Sequence, residues 1–572
     1  MAIDLVINKV TIVGKKINKI TSWLFSLGLG LFPVVAFGTP SQAAEKIYFI
    51  YSPLIESLDV DSLKNFAETG NVPLDLKFYL DIVGAETEER QLLQTALTRK
   101  VEIDPVLLAR SLKTDEGERL LESFGQVVNI RGGRNGKYAL RGAIIKSAFE
   151  EDGLTLLNVL DNLGVDVQVD LEKAFGFAKN VSTILTGTER FIDEVEQLAK
   201  QEAKFAAVAD YGQRPDLRKM GIFEVEMETW QLTDQTRDRQ FYAQIYRPQK
   251  PLGEKVPVIL ISHGLASAPE RHRNLAQHLA SYGFVVVAPQ HPGSDLAYLE
   301  EFTAGYHRQV SDLQEFVNRP LDISFTLDEL ERRNGAEFGG RLDLENVGIY
   351  GHSYGGYTAL AVAGAFPTPN FEQLNEDCAA EWGIFNNALL LQCRALQLSP
   401  EDYNFRDQRI QAVIAANPVN ASIFGEAALS QIDIPIAVVA GSYDPATPFI
   451  FEQVRSFPWI RSEQKYLILE EGQAHVDISR LDLGITSLLD RIPRLNLPSP
   501  QLLNDYSEAI ALAFFQVYTA EDDQYRAYLD PAYGQYLSQN EEFKTFMITQ
   551  DSLPELEAAI AEFKQENQID IN

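Results

Sequence analysis

Between residues 45 and 210, apolar residues recur at three- and four-residue spacing and are interrupted by polar turns, the pattern of short amphipathic helices. Residues 61–66 open one, which breaks at Thr69-Gly70. Residues 92–97, 104–112, 116–124, 138–149, 154–160 and 169–177 predict others, and 191–209 predicts a long one. Near residue 220 the period shortens to two. Residues 223–228 and 241–246 alternate across a polar turn and predict a hairpin. Compact apolar runs follow at 258–261, 284–288, 346–350, 410–416, 434–440 and 465–469, with helical stretches at 273–280 and after 357 between them. Strands alternating with helices in this way predict an α/β fold with a mostly parallel sheet.

Two stretches do not fit a simple alternation. Residues 367–409 are too long for an ordinary connection and predict a helical, lid-like insert. After the Pro-rich passage Leu497-Pro498-Ser499-Pro500, residues 502–518 predict a helix, and the acidic remainder extends a C-terminal helical region over 496–572. The domain reading is therefore a helical domain at 44–210, an α/β domain at 211–495 containing the insert, and that C-terminal region.

Residues 1–43 are set apart as a signal peptide. Lys9, Lys15, Lys16 and Lys19 form a basic leader, an apolar stretch runs from Trp23 to Phe37, and Ser41-Gln42-Ala43 supplies small residues for cleavage. The stretch is short for a membrane span, and none is expected in the mature chain. The reading is an exported protein of the periplasm or cell envelope. The formal net charge is -31, and the leader contributes none of the excess acid. Such a balance argues against nucleic acid and anionic membranes as partners. Cys378 and Cys393 are the only cysteines and are expected to form a disulfide in an oxidising compartment. They lack the histidine spacing of a metal site, and no metal or other cofactor is expected.

The chemistry is concentrated at Gly351-His352-Ser353-Tyr354-Gly355, a Gly-x-Ser-x-Gly nucleophile elbow standing between a predicted strand and a predicted helix. A serine hydroxyl needs an imidazole to take its proton, and the chain order for this elbow is nucleophile, acid, histidine. Only His475 lies downstream of Ser353. Asp444 follows the 434–440 strand and precedes His475, whereas Asp477 is too close to the histidine and Asp433 stands at the wrong end of its strand. The predicted catalytic residues are Ser353, Asp444 and His475. The oxyanion requires two backbone amides, assigned to Tyr354 and to Leu265 in the loop after 258–261. His263 is expected chiefly to brace that loop. His263, His291, Trp382 and Phe385 are candidate pocket residues.

Ser262-His263-Gly264-Leu265, His291-Pro292-Gly293-Ser294, the elbow with Gly356, and Gly441-Ser442-Tyr443-Asp444 together resemble the predicted dienelactone-hydrolase family. They are also similar to platelet-activating-factor acetylhydrolases. The likeness covers about 220–480. Residues 45–165 resemble a helical domain of unknown function found ahead of such hydrolases in cyanobacterial exported proteins. The resemblance implies an α/β-hydrolase fold and a metal-independent esterase or lipase-like activity on small or amphiphilic esters. It departs at two points: the acetylhydrolases place their acid near Asn417-Pro418, where no carboxylate stands, and dienelactone hydrolases use cysteine where this chain has Ser353. An amidase or peptidase would use the same triad. A non-catalytic envelope protein keeping the fold is the rival from another class.

Overall fold

The computed structural model describes residues 44–51, 54–82, 85–101, 103–205, 209–249, 255–365, 370–380, 383, 385–399, 401, 403–475 and 498–567. The leader 1–43, Trp382 and residues 476–497 and 568–572 lie outside them. The chain divides into two compact units. One holds the described residues up to Thr186 with Glu301–Val310; the other holds Gly187–Glu300, Ser311 to His475 and the residues from Pro498 on.

The first unit contains the predicted helices, among them Val60–Thr69, Thr87–Thr98, Asp115–Val127 and Lys137–Phe149. Gly70 ends the first of these at φ 73, where its N–H turns back to the Phe66 carbonyl. A side chain would be strained in that left-handed state, which explains the break read at Thr69-Gly70. The unit is not purely helical. Strands β1 (Lys46–Tyr51), β2 (Leu54–Asp59), β3 (Val128–Ile130), β4 (Arg134–Asn135) and β5 (Val167–Asp170) form a sheet in the order β2-β1-β5-β3-β4. Leu58, Leu63, Phe66 and Val167 belong to its buried core.

The second unit is built on a nine-stranded sheet. Its strands are β6 (Val225–Asp234), β7 (Arg239–Pro248), β8 (Val256–Ser262), β9 (Val285–Pro289), β10 (Leu342–His352), β11 (Ile410–Ala416), β12 (Ile436–Gly441), β13 (Lys465–Glu470) and β14 (Thr545–Thr549). The order is β14-β13-β12-β11-β10-β8-β9-β7-β6. Pairing is parallel from β9 through β8, β10, β11 and β12 to β13, and antiparallel at β6–β7, β7–β9 and β13–β14. The central strands β9 and β12 are buried at every position because helices cover both faces, so their sequences are continuous apolar runs rather than alternating ones. The edge strand β6 alternates exposed and buried residues in its second half.

The helix Pro500–Tyr518 contributes Tyr506, Leu512 and Phe515 to the same core as β8 and β11. With β14 in the sheet, the region read as a separate C-terminal helical segment is part of the second unit. In the insert, helices Phe371–Ala379 and Ala388–Gln392 are joined through the Cys378–Cys393 disulfide, whose sequence separation of 15 corresponds to about 3 kcal/mol in the chain-entropy model. Buried polar contacts also fasten the insert: Asp377 pairs with Arg455 at 2.8 Å, and Glu452 accepts from Asn386 and Gln392 at 2.7 and 2.8 Å.

Candidate active site

The elbow turns from β10 into the helix Tyr354–Ala363. Ser353 lies at the turn with φ 58 and ψ -119, a backbone state that costs a non-glycine residue about 1–3 kcal/mol. The turn is held from several sides, since Ser353 N–H donates to Ala416 at the end of β11 and its carbonyl accepts from Gly356 N–H. Gly355 allows the elbow to sit against β8: a Cβ there would lie 2.0 Å from the Ser262 carbonyl oxygen. The strain is thus imposed by packing that only small residues permit.

Loops at the carboxyl ends of β12 and β13 bring the other two predicted residues to this serine. His475 Nε2 is 2.6 Å from Ser353 Oγ, and His475 Nδ1 is 2.8 Å from Asp444 Oδ2. Asp444 is fully enclosed by donors. Its Oδ2 also accepts from Asn417 Nδ2 at 2.7 Å and Thr447 Oγ1 at 2.6 Å, while Oδ1 accepts from the Ala446 and Thr447 amides. Burial by itself pushes the carboxyl up, but the facing His475 and the Thr447 bonds outweigh it and hold it below its ordinary value of 3.8. An ionised carboxylate facing Nδ1 fixes the proton there and leaves Nε2 to accept from the serine.

Asn417 stands where the acetylhydrolase pattern places its acid, and here it donates to the acid on the neighbouring loop. His352 was also missed as a functional candidate. Burial, reinforced by His475 and His272, pushes its imidazole down to about 3, so it is neutral. Its Nε2–H donates to the His475 carbonyl at 2.8 Å, tying the histidine loop to the residue before Ser353. The signal available in the sequence was its position within the elbow.

The loop after β8 passes directly over Ser353. A Cβ on Gly264 would lie 3.2 Å from that of Ser353. The Ala266 amide is taken by the Ser294 carbonyl, whereas those of Leu265 and Tyr354 make no hydrogen bond to another described residue. Beneath this loop is a second Ser-His-Asp array. Ser262 Oγ is 3.0 Å from His291 Nε2, and His291 Nδ1 is 3.0 Å from Asp322 Oδ2. Arg239 grips Asp322 with two 2.8 Å bonds. Ser262, His291 and Asp322 are each 0% exposed, against 7% for Ser353.

That burial corrects the pocket expectation for His263 and His291, which have no surface to offer a ligand. Burial drives both imidazoles well below their ordinary value, and the nearby Arg319 guanidinium pushes them the same way. Phe385 is 7% exposed, and Leu389 and Leu391 of the insert are likewise buried. Trp382 is outside the described residues. No group of three or more potential ligands for a metal ion occurs among the described residues.

Glu470, at the end of β13, has a different environment. Burial pushes it up to about 8, opposed only by a Ser507 hydrogen bond, and Gln473 Nε2 donates to it at 2.7 Å. The folded protein therefore keeps this proton up to about pH 8, while the unfolded chain releases it near 4.5. Stability must fall as pH rises through that interval. Glu470→Gln is expected to flatten the slope and to exceed the wild type at pH 9 by on the order of 2 kcal/mol, with little difference at pH 4, as measured by urea unfolding.

The strand order, the elbow after β10 and the two Ser-His-Asp arrays decide the superfamily. The chain is an α/β-hydrolase. Its arrangement is that of a serine hydrolase. Residues 43–170 match a family described as an alpha/beta hydrolase of unknown function (DUF1400), and residues 219–374 match the chlorophyllase family. The second match includes Ser353 but ends before Asp444 and His475. A platelet-activating factor acetylhydrolase of Cavia porcellus is 28% identical over 146 residues, covering 19% of this chain and 32% of that protein. The chain thus matches about a third of that relative's length, and the relationship to both named families is distant. Among the described residues, no helix is long and apolar enough to cross a membrane.

Proposed function

We propose that this α/β-hydrolase is a serine carboxylester hydrolase in which Ser353 is the nucleophile, His475 the general base and Asp444 the orienting acid. The observation that carries the reading is the unbroken pair of contacts from Asp444 through His475 to Ser353, 2.8 and 2.6 Å, beside amides with no hydrogen-bond partner among the described residues. His475 takes the Ser353 proton as Oγ attacks the ester carbonyl. The Leu265 and Tyr354 amides hold the oxyanion. His475 then gives the proton to the leaving alcohol, and the acyl-enzyme is released by water that His475 activates in turn.

Small or amphiphilic esters are the proposed substrates, and the acetylhydrolase likeness supports a short acyl group. Phe385, Leu389 and Leu391 of the insert are buried and lend no support to a long acyl site. The basic leader and apolar stretch support export to the periplasm or cell envelope. The test is a series of chromogenic esters of increasing acyl length, with a fluorophosphonate probe alongside. Turnover with a burst of alcohol and labelling at Ser353 are expected. A folded protein that neither turns over nor is labelled would instead support the non-catalytic rival, and turnover of anilides over esters would support the amidase.

A further inference from the structure

The second Ser-His-Asp array raises the question of what a sealed copy of catalytic geometry does. Its hydrogen bonds have only one consistent direction. The Asp322 carboxylate, held by Arg239, accepts from His291 Nδ1, so His291 Nε2 is an acceptor and Ser262 Oγ–H donates to it. The backbone N–H of His291 donates to His263 Nε2 at 3.1 Å. The proton of His263 is therefore on Nδ1, which donates to the Gly264 carbonyl at 2.8 Å.

That last bond reaches the chemistry. The Gly264 carbonyl and the Leu265 N–H belong to one planar trans peptide and point in opposite directions. Pinning the carbonyl inward on His263 turns the Leu265 amide outward. Arg319 fixes the same segment from below by donating to the His263 carbonyl, and the Ser294 carbonyl takes the next amide, Ala266. Every neighbour of the Leu265 amide is thereby held while that amide is left unspent.

We propose that Ser262, His291 and Asp322, acting through His263, form a positioning array that aims the Leu265 amide at the oxyanion, and that Ser262 is not a second nucleophile. This rests on the esterase reading above. Ser262 cannot meet an acyl group, because the residue is 0% exposed and its own carbonyl lies against the elbow at Gly355. The array instead holds the oxyanion loop by position: Asp322 and Ser262 fix the His291 ring from both sides, and the His291 backbone N–H then sets the His263 tautomer that directs the Gly264 carbonyl.

Two variants test it on a chromogenic acetate ester. His263→Leu removes the donor to Gly264, and Ser262→Ala cuts the array one step earlier. Removal of one oxyanion donor costs about 10²–10³ in kcat, so misdirecting one is expected to cost about 100-fold in His263→Leu and about 10-fold in Ser262→Ala. KM should stay within about threefold. Affinity for a trifluoromethyl ketone, which forms the oxyanion adduct, should fall in step with kcat/KM. A merely structural role would lower the melting temperature without this split. Should His263→Leu not fold, Ser262→Ala decides. Folded Ser262→Ala with wild-type kcat and ketone affinity overturns the array, as does a fluorophosphonate adduct found on Ser262 of the wild type by peptide mass spectrometry. Wild type labelled at Ser353 with Ser262→Ala unimpaired sinks the array alone; a wild type unlabelled and inactive sinks the esterase reading and the array with it.

Discussion

Ser353→Ala is expected to lose ester hydrolysis by on the order of 10⁵–10⁶ in kcat while remaining folded. The size follows from what is removed: the hydroxyl 2.6 Å from His475 Nε2 that the proposed mechanism acylates. The oxyanion amides and the ordered imidazole remain, so some water-based turnover should persist above the uncatalysed rate. Stability should change little, since a small hydroxyl at a nearly buried position is lost and His475 still borders solvent through an exposure of 15%. The elbow's backbone strain stays in place, because alanine at φ 58 is no better suited than serine. Ser353→Gly relieves it and is expected to be the more stable of the two inactive proteins by about 1 kcal/mol. Chromogenic ester kinetics and thermal unfolding check both parts. Activity of Ser353→Ala within a hundredfold of wild type would remove this serine from the mechanism.

Asp444→Asn should cost about 10⁴ in kcat, and for a reason beyond lost charge. Among the described residues, all five contacts to this carboxylate are from donors. An amide must present its NH₂ to one side, so one oxygen site becomes a donor facing donors. On the Oδ2 side that repels His475 Nδ1–H and favours the other tautomer, which leaves Nε2 protonated and unable to accept from Ser353. On the Oδ1 side it opposes the Ala446 and Thr447 amides, costing about 1–3 kcal/mol of stability. The carboxyl is held below its ordinary 3.8, so its stabilisation is complete above that value and is lost as pH falls through the lower folded value. The stability gap between wild type and Asp444→Asn should therefore be full at neutral pH and shrink in acid. Unfolding measured from pH 7 down to pH 3 tests this. A gap that widened in acid would contradict the depressed carboxyl.

Much of the second unit was legible because its central strands are buried on both faces. β8, β9, β11 and β12 read as apolar runs for that reason, and chain order alone then selected His475 and Asp444. The strands of the first unit were not legible. β2 is mostly exposed, β3 and β4 have three and two residues, and β1 pairs with β5 from the far end of the unit. Periodicity has nothing to register over such lengths, and pairing between distant segments leaves no local mark. β14 escaped for the same reason, since it is defined by β13 rather than by its own five residues. In the site, the missing pieces were cross-loop contacts. Asn417 reaches Asp444, His352 reaches His475, and His263 reaches the Gly264 carbonyl through a tautomer set by the N–H of His291 in the loop after β9.

The antiparallel pairing of β14 with β13 also bears on how the protein comes into being. A ribosome delivers this chain from its amino end, so Ser353, Asp444 and His475 are all synthesised before Thr545–Thr549 exists. During that interval β13, Lys-Tyr-Leu-Ile-Leu-Glu, is an apolar strand with one side unpaired, a template for joining another nascent chain. The last strand to emerge is the one that closes this edge beside the histidine loop. A chain interrupted before residue 545 would carry Ser353, Asp444 and His475 on a sheet left open to its neighbours at β13.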